Sequence, residues 1–120
     1  MGKRILVVED ESVIRSAIML VLEMGEFKVT GAADGQEALN QLQAGELPDA
    51  ILLDLMMPVM DGWQFRQEQL ADKRIAAIPI VVLSACNSVH EQAAKLGAAS
   101  YLQKPVPFRD LLDAVKRCVG

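Results

Sequence analysis

The sequence predicts an α/β fold in which five short parallel strands alternate with five helices. Two observations carry this prediction. Five short runs have strand-like apolar patterns, and each is followed by a segment with helical spacing of apolar residues. Strands that alternate with helices form a parallel sheet covered by helices on both faces. The runs lie at residues 5–8, 27–32, 50–53, 80–83 and 100–103.

The apolar content of the five runs predicts their order in the sheet. Residues 5–8, 50–53 and 80–83 are solidly apolar, as expected of central strands, whereas 27–32 and 100–103 mix polar and apolar residues. The flavodoxin-like order 2-1-3-4-5 places the second and fifth strands at the edges. The pattern therefore predicts a doubly wound sheet of this order, with right-handed crossovers.

Apolar spacing and terminal residues predict where the helices begin and end. The first helix should have Ser12 as its N-cap and end at Gly25. We read Asp61 as a turn or cap residue between the third strand and the third helix. The other predicted helices are one that ends near Gly45, one at 63–70, one at 90–96 that stops at Gly97, and a last one from Phe108 to Val119.

Length, composition and charge exclude several classes of protein. The 120 residues, 52% hydrophobic and 23% charged, suit one globular domain spanning 1–120. A net charge of −4 without a basic stripe argues against direct nucleic-acid binding. The apolar runs are far shorter than the roughly 18 residues of a membrane helix, and the start does not resemble a signal peptide, so we expect a cytoplasmic protein without membrane contact. Cys86 and Cys118 form no metal or redox motif.

Polar residues close four of the predicted strands. Glu9 and Asp10 follow the first strand, Asp54 the third, Ser84 the fourth and Lys104 the fifth. The carboxyl ends of parallel strands share one edge of the sheet, and ligands bind there at the switch point between the first and third strands. Since adjacent strands lie roughly 4.8 Å apart, the three carboxylates should converge within reach of one ion.

Three clustered carboxylates repel one another unless some protonate or a cation binds between them. Mg²⁺ suits this site, because it prefers oxygen ligands and uses few carboxylates together with a phosphate. A Zn²⁺ site is not expected, since the lone His90 is predicted in a helix elsewhere, on the surface or against a partner. A carboxylate that accepts a phosphoryl group needs positioning and neutralised oxygens, which Lys104 and Ser84 are placed to provide.

Each of these residues also has an ordinary structural interpretation. Glu9 and Asp10 would suit the dipole of a following helix, Asp54 a turn, Ser84 an N-cap and Lys104 the surface. Their joint occurrence at four strand ends is what favours a functional site.

Four motifs together resemble the response-regulator receiver family of two-component signalling proteins. The resemblance extends from Ile5 to the last helix. The motifs are Glu9-Asp10, the block from Leu52 to Gly62, Ser84-Ala85 and Lys104-Pro105.

The resemblance implies a role for each motif residue. Asp54 would be the phosphoacceptor, and Lys104 and Ser84 would contact the phosphoryl oxygens. Mg²⁺ would be held by Glu9, Asp10, Asp54 and the backbone carbonyl of Met56. Two departures from the commoner pattern are Glu9 in place of Asp and Ser84 in place of Thr.

The resemblance also implies a switch and its partners. Ser84 and Tyr101 would be switch residues, and a cis bond before Pro105 would aim the lysine. The donor would be the phosphohistidine of a sensor histidine kinase or phosphotransfer protein; the effector stays open. The responding face would combine helix 88–96, strand 100–103 and helix 107–119. Such a protein is not an enzyme, apart from its own Mg²⁺-dependent phosphoryl transfer and slow autodephosphorylation.

Three other classes of protein share parts of this pattern. A phosphatase with an Asp nucleophile would need an acid two residues after Asp54, where the chain has Met56. A flavin carrier would need a phosphate-binding first loop, and Glu9-Asp10-Glu11 would repel a phosphate. A docking module of the same fold that is never phosphorylated stays open.

Overall fold

Strands and helices alternate along the parts of the chain that the computed structural model describes, residues 2–45 and 47–119. The strands are β1 (Arg4–Val8), β2 (Lys28–Ala32), β3 (Ala50–Asp54), β4 (Ile80–Ser84) and β5 (Ser100–Gln103). The helices are α1 (Ser12–Met24), α2 (Gly35–Ala44), α3 (Gly62–Ala71), α4 (Val89–Leu96) and α5 (Phe108–Val119). All ten predicted elements are confirmed.

The five strands form one parallel sheet in the order β2-β1-β3-β4-β5, which confirms the predicted topology. Val8 pairs with Leu53, Asp54 with Leu83, and Ser84 with Gln103. This register brings the carboxyl ends of the four strands that carry the predicted site residues to one edge of the sheet.

The sheet separates two apolar cores. Leu6 and Val8 face one core, and Ile5 and Val7 face the other, because successive side chains of a strand point to opposite faces. Helices α2, α3 and α4 cover the first core, and α1 and α5 cover the second. β3 and β4 are buried along their whole length, as the solidly apolar runs predict.

The helix ends lie within one residue of the predictions, but the N-cap of α1 differs. Ser12 is the first residue of α1 and not its N-cap; Glu11 takes that position without a side-chain cap hydrogen bond. The helix begins earlier because the Arg15 amide already donates to the Glu11 carbonyl, at 2.8 Å. Asp61 caps α3 as predicted and forms a capping box with Gln64.

Glycines end the helices where predicted. Gly25 follows α1, and Gly97 closes α4 in the left-handed conformation, with φ of 68°. No helix in the described ranges combines the length and apolar character needed to cross a bilayer.

Candidate functional site

Three carboxylates meet at the carboxyl edge of the sheet, as the sequence predicts. Glu9 directly follows β1 and is 0% exposed, and Asp54 ends β3 and is 3% exposed. Asp10 lies beside them and is half-buried. One oxygen of each of the three lies within 4.8 Å of the others. The cluster therefore holds several negative charges in a largely buried place.

Lys104 supplies a positive charge to this cluster. Its Nζ atom donates to Glu9 Oε1 at 2.6 Å and lies 3.3 Å from Asp54 Oδ2. Burial acts to lower the pKa of Lys104, but the hydrogen bond to Glu9 and the two nearby carboxylates outweigh it and raise that pKa. The lysine is therefore firmly cationic.

The backbone around Lys104 directs it toward the cluster. Its amide donates to the Ser84 carbonyl at 2.9 Å, which extends the β4–β5 pairing by one residue. The Lys104–Pro105 peptide bond is cis, as predicted.

Asp54 has an unusual protonation equilibrium. Burial, followed by the hydrogen bond and the negative charge of Glu9, raises the pKa of Asp54 to about 7. The Lys104 ammonium and the Met56 amide, which donates to Asp54 Oδ1 at 3.2 Å, act against this rise. Without a further cation, Asp54 therefore binds a proton much more readily than an ordinary aspartate.

Ser84 lies at the same edge, one strand from Asp54. It is 1% exposed, and its Oγ accepts a hydrogen bond from the Cys86 amide at 3.1 Å. It is the last residue of β4 and not a helix cap, because Ser88 takes the N-cap position of α4. The hydroxyl proton remains available for a ligand, since the oxygen acts here as an acceptor.

The start of α3 packs closely against the end of β3, while the loop between them is partly exposed. A Cβ on Gly62 would lie 2.8 Å from the Asp54 carbonyl oxygen and 2.7 Å from the Leu55 side chain. Only glycine fits this approach, which explains why the motif block ends with one. Within the loop Met56 is 75% exposed, and Val59 adopts a positive φ of 66°.

Tyr101 lies away from the carboxylate cluster. It belongs to the edge strand β5, is 42% exposed and has its ring centroid 5.0 Å from that of His90, on α4. His90 is exposed, as the sequence predicts. Its pairing with Tyr101 was not predicted, because no sequence periodicity relates a helix position to a strand position.

Comparisons with known proteins agree with this arrangement of residues. A model of the response regulator receiver domain matches residues 5–116. The chain belongs to this family. The receiver is 42% identical to the alkaline phosphatase synthesis transcriptional regulatory protein SphR of Synechococcus elongatus, over 98% of this chain and 48% of SphR. It is 38% identical to the phosphate regulon transcriptional regulatory protein PhoB of Escherichia coli, over 97% of this chain and 51% of PhoB. The receiver thus spans about half the length of these curated relatives.

Solved structures share both the fold and the extent of this receiver. The chemotaxis protein CheY4 of Vibrio cholerae superposes with a TM-score of 0.89 and 30% identity, covering 98% of this chain and 99% of that one. The receiver domain of the sensor histidine kinase PA1611 of Pseudomonas aeruginosa superposes with a TM-score of 0.89 and 32% identity, covering 100% of this chain and 99% of that one. The PA1611 structure holds a magnesium ion in its active site cleft.

The acidic cluster of the receiver is compatible with a magnesium site. Glu9, Asp10 and Asp54 offer hard oxygen ligands close together, the kind that Mg²⁺ prefers. The raised pKa of Asp54 shows that burial and negative charge favour adding a positive charge here, either a proton or a metal ion.

The roles of two arginines were not predicted from the sequence. Arg15, on α1, donates from Nη1 to the Glu9 carbonyl at 2.8 Å and so braces the loop that carries the acid pair. Arg66, on α3, is 9% exposed. The available signal was its position on the inward-facing stripe of α3. Arginine is rarely buried, so this burial was not predicted.

Proposed function

We propose that this receiver accepts a phosphoryl group on Asp54, with Mg²⁺ held by Glu9, Asp10, Asp54 and the Met56 carbonyl. The observation that carries the proposal is the buried Asp54 carboxylate, which ends a central strand between an acid pair and the Lys104 ammonium. Residues 1–120 would act as one signalling unit within a two-component phosphorelay.

The chemistry requires little of the protein beyond positioning. An Asp54 oxygen attacks the phosphorus of a phosphohistidine, and the P–N bond breaks with its electron pair returning to the imidazole. The Met56 amide holds Oδ1, while Oδ2 faces Lys104. When bound, Mg²⁺ supplies neutralisation of the carboxylates and phosphoryl oxygens.

Lys104 and Ser84 would then stabilise the phosphorylated form. Lys104 would exchange a carboxylate partner for a phosphoryl oxygen and compensate its charge. The Ser84 hydroxyl, on the neighbouring strand, would donate its proton to another oxygen. The acyl phosphate would be removed slowly by water, so the protein is a switch and not an enzyme acting on other molecules.

A donor protein has an apolar surface available beside the site. A groove of about 440 Å³ between α1 and α5 reaches Ala85 and Lys104 at the site, and Val13 and Phe108 on its rim are 81% and 60% exposed. We infer that the helix of a sensor histidine kinase or phosphotransfer protein that carries the phosphohistidine docks here. Val13→Glu should slow transfer from such a protein but leave labelling by a small phosphodonor unchanged.

The switch would be read on the face formed by α4, β5 and α5. Movement of Ser84 toward the phosphoryl group vacates space beside β4. Tyr101, now outward against His90, would turn into that space, and its buried ring would stabilise the active form. In this account Ser84→Ala accepts a phosphoryl group but transmits less change to residues 88–119. Equal responses of Ser84→Ala and wild type in amide exchange would refute the coupling.

Intact mass after incubation with Mg²⁺ and a small phosphodonor tests the central proposal. One added phosphoryl group is expected in wild type and none in Asp54→Asn. Full labelling of Asp54→Asn would refute Asp54 as the acceptor. Failure of the folded wild type to gain mass would favour a docking module that is never phosphorylated.

A further inference from the structure

The guanidinium of Arg66 joins α3 to the C-terminal end of α4. Its Nε donates to the Leu96 carbonyl at 2.9 Å and its Nη2 to the Gly97 carbonyl at 3.2 Å. Its Nη1 donates to Gln69 Oε1 at 2.7 Å. No ion pair to Arg66 is seen in residues 2–45 and 47–119, so neutral oxygens hold this buried charge.

Several further contacts fix this end of α4. The last carbonyls of a helix carry partial negative charge, which suits a cation there. Gln69 in turn donates to the carbonyls of Ile75 and Ile78, at 3.0 and 2.9 Å. The amide of Ala98 donates to the Ala93 carbonyl at 3.0 Å, after Gly97 in the left-handed conformation. A buried and satisfied network of this kind resists movement.

The N-terminal half of α4 buries Val89 in the core, but among the described residues it has no hydrogen-bond network like that at the C-terminal end. Ser88, in the N-cap position, makes no side-chain cap hydrogen bond. Contacts to β5 are exposed ones, the hydrogen bond from Gln103 to Asn87 at 2.9 Å and the ring contact of His90. Gln92, one turn after Ser88, has a buried Oε1 without a hydrogen-bond partner. This half also lies closest in sequence to Ser84.

We propose that Arg66 is a positioning residue that fixes the C-terminal end of α4, so that the response to phosphorylation appears in residues 85–92. The inference rests on the proposed function, since the change begins at Asp54. The helix would tilt about a pivot near Leu96, so that its N-terminal end moves most. The two ends of α4 differ in how much free energy is needed to displace them, and this difference directs the motion.

NMR of the wild type with and without Mg²⁺ and beryllofluoride, a phosphoryl mimic, tests the pivot directly. Backbone amides of residues 85–92 should shift strongly. The amides of 96–98 and the Arg66 Nε–H resonance should stay in place, with the Nε–H still protected from exchange. Shifts of equal size at both ends of α4 would overturn the pivot. No shift anywhere, including next to Asp54, would instead refute the proposed function and the pivot with it.

Variants separate positioning from simple stabilisation. In Arg66→Lys, which keeps the charge but loses the planar donor fork, the shifts on adding beryllofluoride should spread into residues 93–98. Arg74→Lys is the matched control, because Arg74 also donates to a helix carbonyl, that of Leu42 on α2. It should leave the wild-type pattern unchanged. A lower melting temperature with an unchanged pattern in Arg66→Lys would show a purely structural role and overturn the proposal.

Discussion

Two polar clusters of this receiver compensate their buried charge in opposite ways. At the carboxyl edge of the sheet, Glu9, Asp10 and Asp54 lie together, and among the described residues only Lys104 forms ion pairs with them, so negative charge exceeds positive. On α3, Arg66 carries one buried positive charge, and its hydrogen-bond partners are neutral oxygens. The first cluster contains strong mutual repulsion, and the second is held by satisfied hydrogen bonds.

The difference indicates which cluster binds a ligand and which fixes structure. Repulsion between buried carboxylates raises the free energy of the unliganded protein, and a cation that relieves it gains affinity. A buried charge that is already hydrogen-bonded gains nothing from a ligand, but removing it leaves acceptors unpaired. The two clusters should therefore respond in opposite directions when their charges are removed.

The largest expected effect is stabilisation by Mg²⁺ through the carboxylate cluster. A ligand that binds only the native state at a hundredfold excess over its Kd stabilises by about 2.7 kcal/mol. Mg²⁺ should therefore raise the melting temperature of wild type and much less that of Asp10→Asn. Asp113→Asn, at an exposed position on α5, is the matched control and should behave as wild type. Equal shifts in Asp10→Asn and wild type would argue against the site.

Removing the charge of the second cluster should destabilise the fold. Arg66→Met leaves Gln69 Oε1 and the carbonyls of Leu96 and Gly97 without a donor. We expect it to lower the free energy of unfolding by about 2 kcal/mol, because water replaces part of the lost hydrogen bonding. Chemical denaturation in the absence of metal measures this change. The additional stabilisation by Mg²⁺ should be the same in Arg66→Met as in wild type. Loss of that stabilisation would mean that the clusters are coupled and the comparison is wrong.

Removing one charge from the first cluster should have the opposite effect on the stability of the fold. Asp54→Asn relieves repulsion with Glu9, and we expect it to stabilise the metal-free protein near pH ~7.5. Each unit of raised pKa corresponds to about 1.4 kcal/mol, and the lost attraction to Lys104 reduces the gain. Denaturant unfolding with a chelator present measures the difference. Destabilisation by Asp54→Asn would show that attraction to Lys104 exceeds repulsion by Glu9.

The same repulsion should make stability depend on pH. The pKa of Asp54 is about 7 in the fold, against 3.8 for an ordinary carboxyl, so the folded state binds the proton more tightly than the unfolded state. Its contribution to stability is therefore full below about pH 4 and is lost as pH rises through about 7. The difference in stability between wild type and Asp54→Asn should widen over this window. A constant difference would contradict the raised pKa.

The smallest expected effect concerns a contact outside both clusters. His90→Ala removes the ring that packs on Tyr101, and an exposed aromatic pair contributes about 0.5 kcal/mol. Stability should change little, while the Tyr101 ring should reorient more freely in aromatic NMR spectra. Phe108→Ala, another exposed aromatic residue, is the control and should leave the Tyr101 signals unchanged. Unaltered Tyr101 signals in His90→Ala would show that His90 does not hold the ring outward.

Much of the fold and the site was determined by the sequence alone. Apolar runs and helical spacing specify the elements because burial follows the period of each structure. Strand order followed from the contrast between fully apolar runs such as 50–53 and the mixed run 27–32. The convergence of Glu9 and Asp54 followed from topology, since residues at the carboxyl ends of parallel strands share one edge.

Tertiary structure decided the contacts between groups that are far apart in the chain. The sequence placed Lys104 near the acids, but only the packed fold brings its ammonium to 2.6 Å from Glu9. Burial of Asp54 sets its raised pKa, and burial depends on every neighbouring element. The bonds from Arg66 to the end of α4 span 30 and 31 residues. No local pattern encodes such pairs, because periodicity describes one element at a time and these contacts arise only where two elements meet.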